Sequence, residues 1–153
     1  MTYTTPEETF AITVSLFKNY HIHDLFLPGL PGLEKNFYIM LSLQKKYMPR
    51  IFEKFVELEF TPQIYGSRWF MTVFSDFFPI NIVVRILDIY LTEGRKILFR
   101  IALAIFKCLE TELLEADCME IPLMLIKNFP KTCNVDVLIE TAHKFTFSRT
   151  LVN

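Results

Sequence analysis

The sequence predicts an all-α fold, an irregular bundle of about seven to eight helices in a single domain. Three observations carry this. Of 153 residues, 52% are apolar and 15% aromatic, Phe alone contributing 16. That is enough large apolar surface for a folded core and excludes a disordered chain. Gly is scarce at 4, where average usage gives about 11, so the many φ > 0 turns of a β-barrel or sandwich are not available. Apolar residues also recur at three- and four-residue spacing between proline start signals.

Each element has its own justification. Thr5-Pro6-Glu7-Glu8 reads as a capping box opening a helix to about Tyr20, with Phe10, Val14 and Phe17 on one face. Leu27-Pro28-Gly29-Leu30-Pro31-Gly32 is a punctuated joint. A second helix presents Leu33, Phe37, Met40, Leu41 and Gln44; Pro49 opens a third with Ile51, Phe52, Phe55 and Val56. Thr61-Pro62 opens a fourth, whose stripe is Ile64, Tyr65, Arg68, Trp69 and Thr72. Pro79 starts a fifth, with Ile80, Val83, Val84, Leu87 and Tyr90 inward, and Gly94 ends it as the αL residue after a helix. Ile97 to Phe106 is apolar nearly all round, hence central. A short helix within 116–129 is expected to stop at Pro130, and Asn134 caps a last one with Val135, Leu138, Ile139, Ala142 and Phe145.

Charge narrows the function. Sixteen basic and 17 acidic residues give a net −1, so no broad basic field invites nucleic acid. The most apolar stretches, 77–91 and 97–109, are interrupted by Arg85, Asp88, Arg100 and Lys107, and neither reaches the ~20 apolar residues of a membrane span. The first ten residues lack the basic region of a signal peptide. Three cysteines without CxxC spacing read as reduced thiols in a cytoplasmic protein.

The chemical constellations are thin. His21-x-His23-Asp24 offers metal-ligand types, but a zinc site needs further ligands, so polar residues at a helix end are the expectation and no metal is assigned. Cys108 with His143 could be drawn as a nucleophilic set, yet a thiol in the most apolar helix is expected to be inert packing. No phosphate loop, GxSxG or HExxH occurs, and no cofactor is implied. Arg68 on a core-facing stripe must be paired or reach water; the expected partner is Asp88, locking two helices together. A partner-facing or catalytic arginine is the alternative.

Tyr65-Gly66-Ser67-Arg68-Trp69-Phe70 begins a run of specific character. It continues through Val73-Phe74, Phe78-Pro79, Arg85-x-x-Asp88, Glu93-Gly94 and Leu98-Phe99-Arg100-x-Ala102-Leu103-Ala104 to Lys107. This run, strongest over 65–107, resembles the later half of a TBC domain, the family of GTPase-activating proteins for Rab GTPases. Tyr20-x-x-x-Asp24-Leu25-Phe26 fits the same family upstream, so residues 1–153 resemble its C-terminal subdomain. The resemblance implies an all-helical fold, a Rab-type GTPase partner and a role in vesicle traffic, peripheral on endomembranes through partners. It makes Tyr65, Ser67, Arg68, Trp69, Phe70, Arg85, Asp88 and Gly94 a structural signature.

Family catalysis uses an arginine from I-x-x-D-x-x-R and a glutamine from Y-x-Q, which serve charge stabilisation and water orientation in GTP hydrolysis. Neither motif occurs here, and both lie upstream in the family. Gln44 and Gln63 are the only glutamines and lack the context; Arg68 is not at the finger position. The expectation is a docking and supporting half without catalytic residues, its missing N-terminal subdomain a partner. It is either part of a longer activator or a short helical module that binds a GTPase or scaffold without turnover. A subdomain parted from its neighbour is expected to expose an apolar face and self-associate through it.

Overall fold

The computed structural model describes residues 5–19, 22–148 and 152. Among them run nine α-helices and one 3-10 turn, η1, with no strand: α1 (Pro6–Asn19), η1 (Ile22–Leu25), α2 (Pro31–Tyr47), α3 (Pro49–Glu57), α4 (Pro62–Thr72), α5 (Ile80–Glu93), α6 (Lys96–Cys108), α7 (Glu110–Leu114), α8 (Glu120–Thr132) and α9 (Val135–Lys144). The ninth helix is the five-residue α7, too short to show periodicity in the sequence.

Local chemistry sets the boundaries. At α1 the Glu8 amide donates to Thr5 Oγ1 at 3.2 Å and the Thr5 amide to Glu8 Oε2 at 2.8 Å, a reciprocal box. Asn134 Oδ1 accepts from the Asp136 and Val137 amides at 2.9 and 3.3 Å. Thr61, by contrast, makes no side-chain cap; Pro62 alone, with its preset φ, starts α4. Pro130 does not stop α8 but lies inside it. A proline so near the C-terminal end deletes one hydrogen bond, and the helix closes two residues later.

The centre is α6, where every residue from Ile97 to Phe106 is buried. Helix α9 packs most extensively on it, and α5 covers another side. Helix α2 meets α3, α4 and η1. Gly32 makes the η1 contact: a Cβ there would lie 2.7 Å from the Asp24 backbone carbon. Gly94 has the expected positive φ of 74°, but ψ of −159° puts it outside the αL region, in a region essentially reserved for glycine.

Among the described residues, Asn36, Gln44, Arg95 and Arg100 are polar yet buried in this apolar interior. Arg95, from the α5–α6 turn, donates to Asn36 Oδ1 on α2. Arg100 on α6 donates from Nε to the Phe145 carbonyl at 2.9 Å and from Nη1 to Glu93 at 2.6 Å. The residues after α9 are held alongside. Tyr47 Oη donates to the Thr146 carbonyl at 2.5 Å, and the Tyr47 ring contacts Phe145 and Phe147 at 5.8 and 6.1 Å.

Some positions assigned inward lie outward. Ile80 is 73% exposed as the first residue of α5, and Val56, Ile64 and Leu41 are also exposed. Helix α1 bears Phe10, Ile12 and Phe17 on the outside, while Phe17 stacks on Phe26 at 5.8 Å.

Candidate functional site

Helix α4 divides its residues between two jobs. Tyr65, Trp69 and Phe70 point inward at four- and five-residue spacing. Trp69 is 1% exposed. Its ring lies 5.1 Å from Tyr65, 5.4 Å from Phe74 and 5.8 Å from Phe106. Phe70 meets Phe99 of α6 at 5.1 Å. Burial holds the Tyr65 phenol far above its ordinary range, against the smaller opposing pull of its bond to Gln44; it donates to Gln44 Oε1 at 3.2 Å.

Arg68 does not pair with Asp88. Its side chain is 76% exposed, one step past the inward stripe, and its Nε donates to Asp76 Oδ2 at 2.5 Å. Nη2 engages the same oxygen. Between them the chain makes a double left-handed turn, Val73 at φ 52° and Phe74 at φ 62°. Thr72 Oγ1 donates to the Arg68 carbonyl at 2.6 Å and accepts from the Asp76 amide at 3.4 Å. Two non-glycine residues, one β-branched, hold a conformation costly for L-residues, with Phe74 fully buried in return.

This turn, α4 and α8 enclose a cleft of about 280 Å³. Tyr65, Trp69 and Ile126 line it, with Phe77, Ile64 and Leu123 about its sides. Arg68, Asp76 and Lys127 supply its charges. A wider apolar groove of about 730 Å³ runs between α2, α3 and α4, lined by Leu41, Phe52, Val56, Phe60 and Pro62. The exposure of Leu41 and Val56 follows from it.

The other signature residues stand elsewhere. Ser67 Oγ donates back to the Gln63 carbonyl at 3.0 Å. Arg85 Nη1 donates to Asp136 of α9 at 2.5 Å, an exposed α5–α9 link. Asp88 is exposed on α5, with no ion-pair partner among the described residues. Gly94 ends α5, away from the cleft. The structure therefore gathers Tyr65, Arg68 and Trp69 in the cleft and not Arg85, Asp88 or Gly94. Sequence reasoning missed Asp76, Leu123 and Lys127. One signal was available: Asp76 is the only acid between Glu59 and Asp88.

The remaining constellations do not assemble. His23 Nδ1 lies 3.5 Å from Asp24 with both side chains largely solvated, and His21 lies outside the described residues. No group of three potential ligands occurs among the described residues. His143 faces the Ile139 carbonyl at 2.9 Å and Glu93 at 3.3 Å. Cys108 is not packed inside α6 but exposed at its C-terminal end, because α6 leaves the core after Phe106. Partial burial still pushes its thiol up, and Cys133 is pushed up to about 11, by burial and then by Cys108. Raised thiols are poor nucleophiles at neutral pH. No helix among the described residues is long and apolar enough to cross a membrane.

An all-helical bundle with a Tyr65–Phe70 core helix packed on a central LFR helix defines a class, and comparison supplies its family. The Rab-GTPase-TBC domain family model matches residues 1–114: the chain belongs to that family. It is 35% identical over 111 residues to the mouse ecotropic viral integration site 5 protein, covering 72% of this chain and 14% of that protein. The Caenorhabditis elegans Rab GTPase-activating protein eat-17 is 35% identical over 111 residues, 72% and 12% of the two chains. The Saccharomyces cerevisiae GTPase-activating protein GYP5 is 36% identical over 95 residues, 62% and 11%. The chain thus matches a small part of the length of these relatives.

Proposed function

We propose that this chain is the docking and supporting half of a module that stimulates GTP hydrolysis by a Rab-type GTPase in vesicle traffic. The observation that carries the reading is the match of residues 1–114 to the Rab-GTPase-TBC family in a sequence that holds neither I-x-x-D-x-x-R nor Y-x-Q. Residues 1–153 form the C-terminal subdomain. The arginine and glutamine that complete the GTPase site come from an N-terminal subdomain that seats beside it. Tyr65, Trp69, Phe70 and Gly94 keep the supporting bundle rigid. The outward Phe10, Ile12 and Phe17 of α1 suit cover by that subdomain or by a second copy. Association with vesicle surfaces runs through the GTPase.

The test is single-turnover GTP hydrolysis by a panel of Rab proteins. This chain alone leaves the intrinsic rate unchanged, while binding measured in parallel favours the GTP-bound form. Robust stimulation by the chain alone overturns the assignment of the fingers elsewhere. Absence of Rab binding across the panel overturns the docking role.

A further inference from the structure

We infer that the cleft between α4, the 73–76 turn and α8 is a docking site for a linear peptide segment of another protein, with an aromatic side chain flanked by carboxylates. This is separate from the Rab reading and stands or falls without it.

Three features of the cleft select that occupant. First, its volume of about 280 Å³ suits one aromatic ring, which half-buried Phe77 meets in the offset or edge-to-face contacts that ring pairs favour, over a floor made by the buried Tyr65 and Trp69. Ile64 and Leu123, 39% and 41% exposed, extend the apolar area to the surface. Second, the charge beside the cleft is unbalanced. Asp76 is taken by Arg68 through two guanidinium nitrogens, whereas Lys127 has no ion-pair partner among the described residues. Two cations and one anion leave a net positive site, complementary to a carboxylate beside the inserted ring. Third, the cleft is preformed. The double left-handed turn is fixed by buried Phe74 and by the Thr72 and Arg68 bonds, so little ordering remains to oppose binding.

Trp69 is the only tryptophan in the chain and lies beneath the cleft, 5.3 Å from Phe77, so its emission reports on a change at the cleft floor. The probe is a capped tetrapeptide, Glu-Glu-Phe-Glu, titrated into the full chain with excitation selective for tryptophan. A saturable change in emission is expected. Lys127 is exposed, so Lys127→Glu leaves the fold intact, as circular dichroism checks. It should weaken the acidic peptide roughly fivefold, since a partly solvated charge contact contributes up to about 1 kcal/mol. It should strengthen a Lys-Lys-Phe-Lys peptide instead. The proposal is overturned if no saturable change appears, if the wild-type chain binds both peptides equally, or if Lys127→Glu changes neither affinity. A GTP-bound Rab that shifts Trp69 emission while the peptide does not assigns the cleft to the GTPase and also overturns it.

Discussion

At the scale of single residues, the heaviest consequence belongs to Trp69. Trp69→Ala removes a fully buried indole and leaves a cavity among Tyr65, Phe74 and Phe106. The expected loss is about 3–5 kcal/mol in urea unfolding; a loss below about 1 kcal/mol would mean the cluster is not the core. Gly94→Ala meets no steric neighbour yet must adopt φ 74° with ψ −159°, so it should cost roughly 1–3 kcal/mol through backbone alone. Arg68 and Asp76 form an exposed pair. A double-mutant cycle on them should return a coupling under about 1 kcal/mol. The inward aromatics of α4 were legible in the sequence because four-residue spacing and size point one way. The partner of Arg68 was not, because a stripe drawn on spacing alone includes its edge. There a long guanidinium reaches water and the acid across a turn, rather than one on another helix.

At the scale of elements, helix starts were more legible than ends. Proline and the Thr5 and Asn134 caps mark starts by local chemistry, whereas Pro130 does not mark the end of α8, because in the last turn it deletes only one hydrogen bond. The joint before α2 is tested by Gly32→Ala, whose Cβ meets backbone rather than a movable side chain. It should lower stability and loosen η1 from α2, seen as faster amide exchange around 22–25. Helices α5, α6 and α9 share Arg100. Arg100→Met deletes the bond to the Phe145 carbonyl and leaves Glu93 with His143 alone. A loss of about 2–3 kcal/mol is expected, smaller than for a fully buried pair because Glu93 keeps some solvent. The α8–α9 junction can be read through Cys133. Its thiol, pushed up to about 11, should alkylate about tenfold faster per pH unit from 7 to 10, as the thiolate fraction grows. A rate that bends over at about pH 9, as an ordinary thiol's does, would contradict the burial. The buried partners of Arg100 were not legible, since charge inside an apolar run looks the same whether it is partnered indoors or turned to solvent, and Arg95, in the charged stretch 93–96, read as surface.

At the scale of the whole molecule, class and family were legible because the 65–107 run carries many specific residues in fixed order. The cleft was not, because Leu123 and Lys127 come from α8, where periodicity is weak, and meet α4 only through the tertiary fold. The outward apolar residues of α1 give a global prediction: sedimentation should show concentration-dependent self-association that Phe10→Ser with Phe17→Ser reduces. A monomer at all concentrations would mean α1 tolerates water by itself. The stretch after α9 matters differently. Tyr47 grips residues 145–147 against the far end of α2 by one hydroxyl and two rings. A load applied through the carboxyl end is borne first by the buried Val152 and then by this clasp, before α9 is strained. A tether attached there would pull on the bundle as a whole, and the tail would unzip only once the Tyr47 grip gave way.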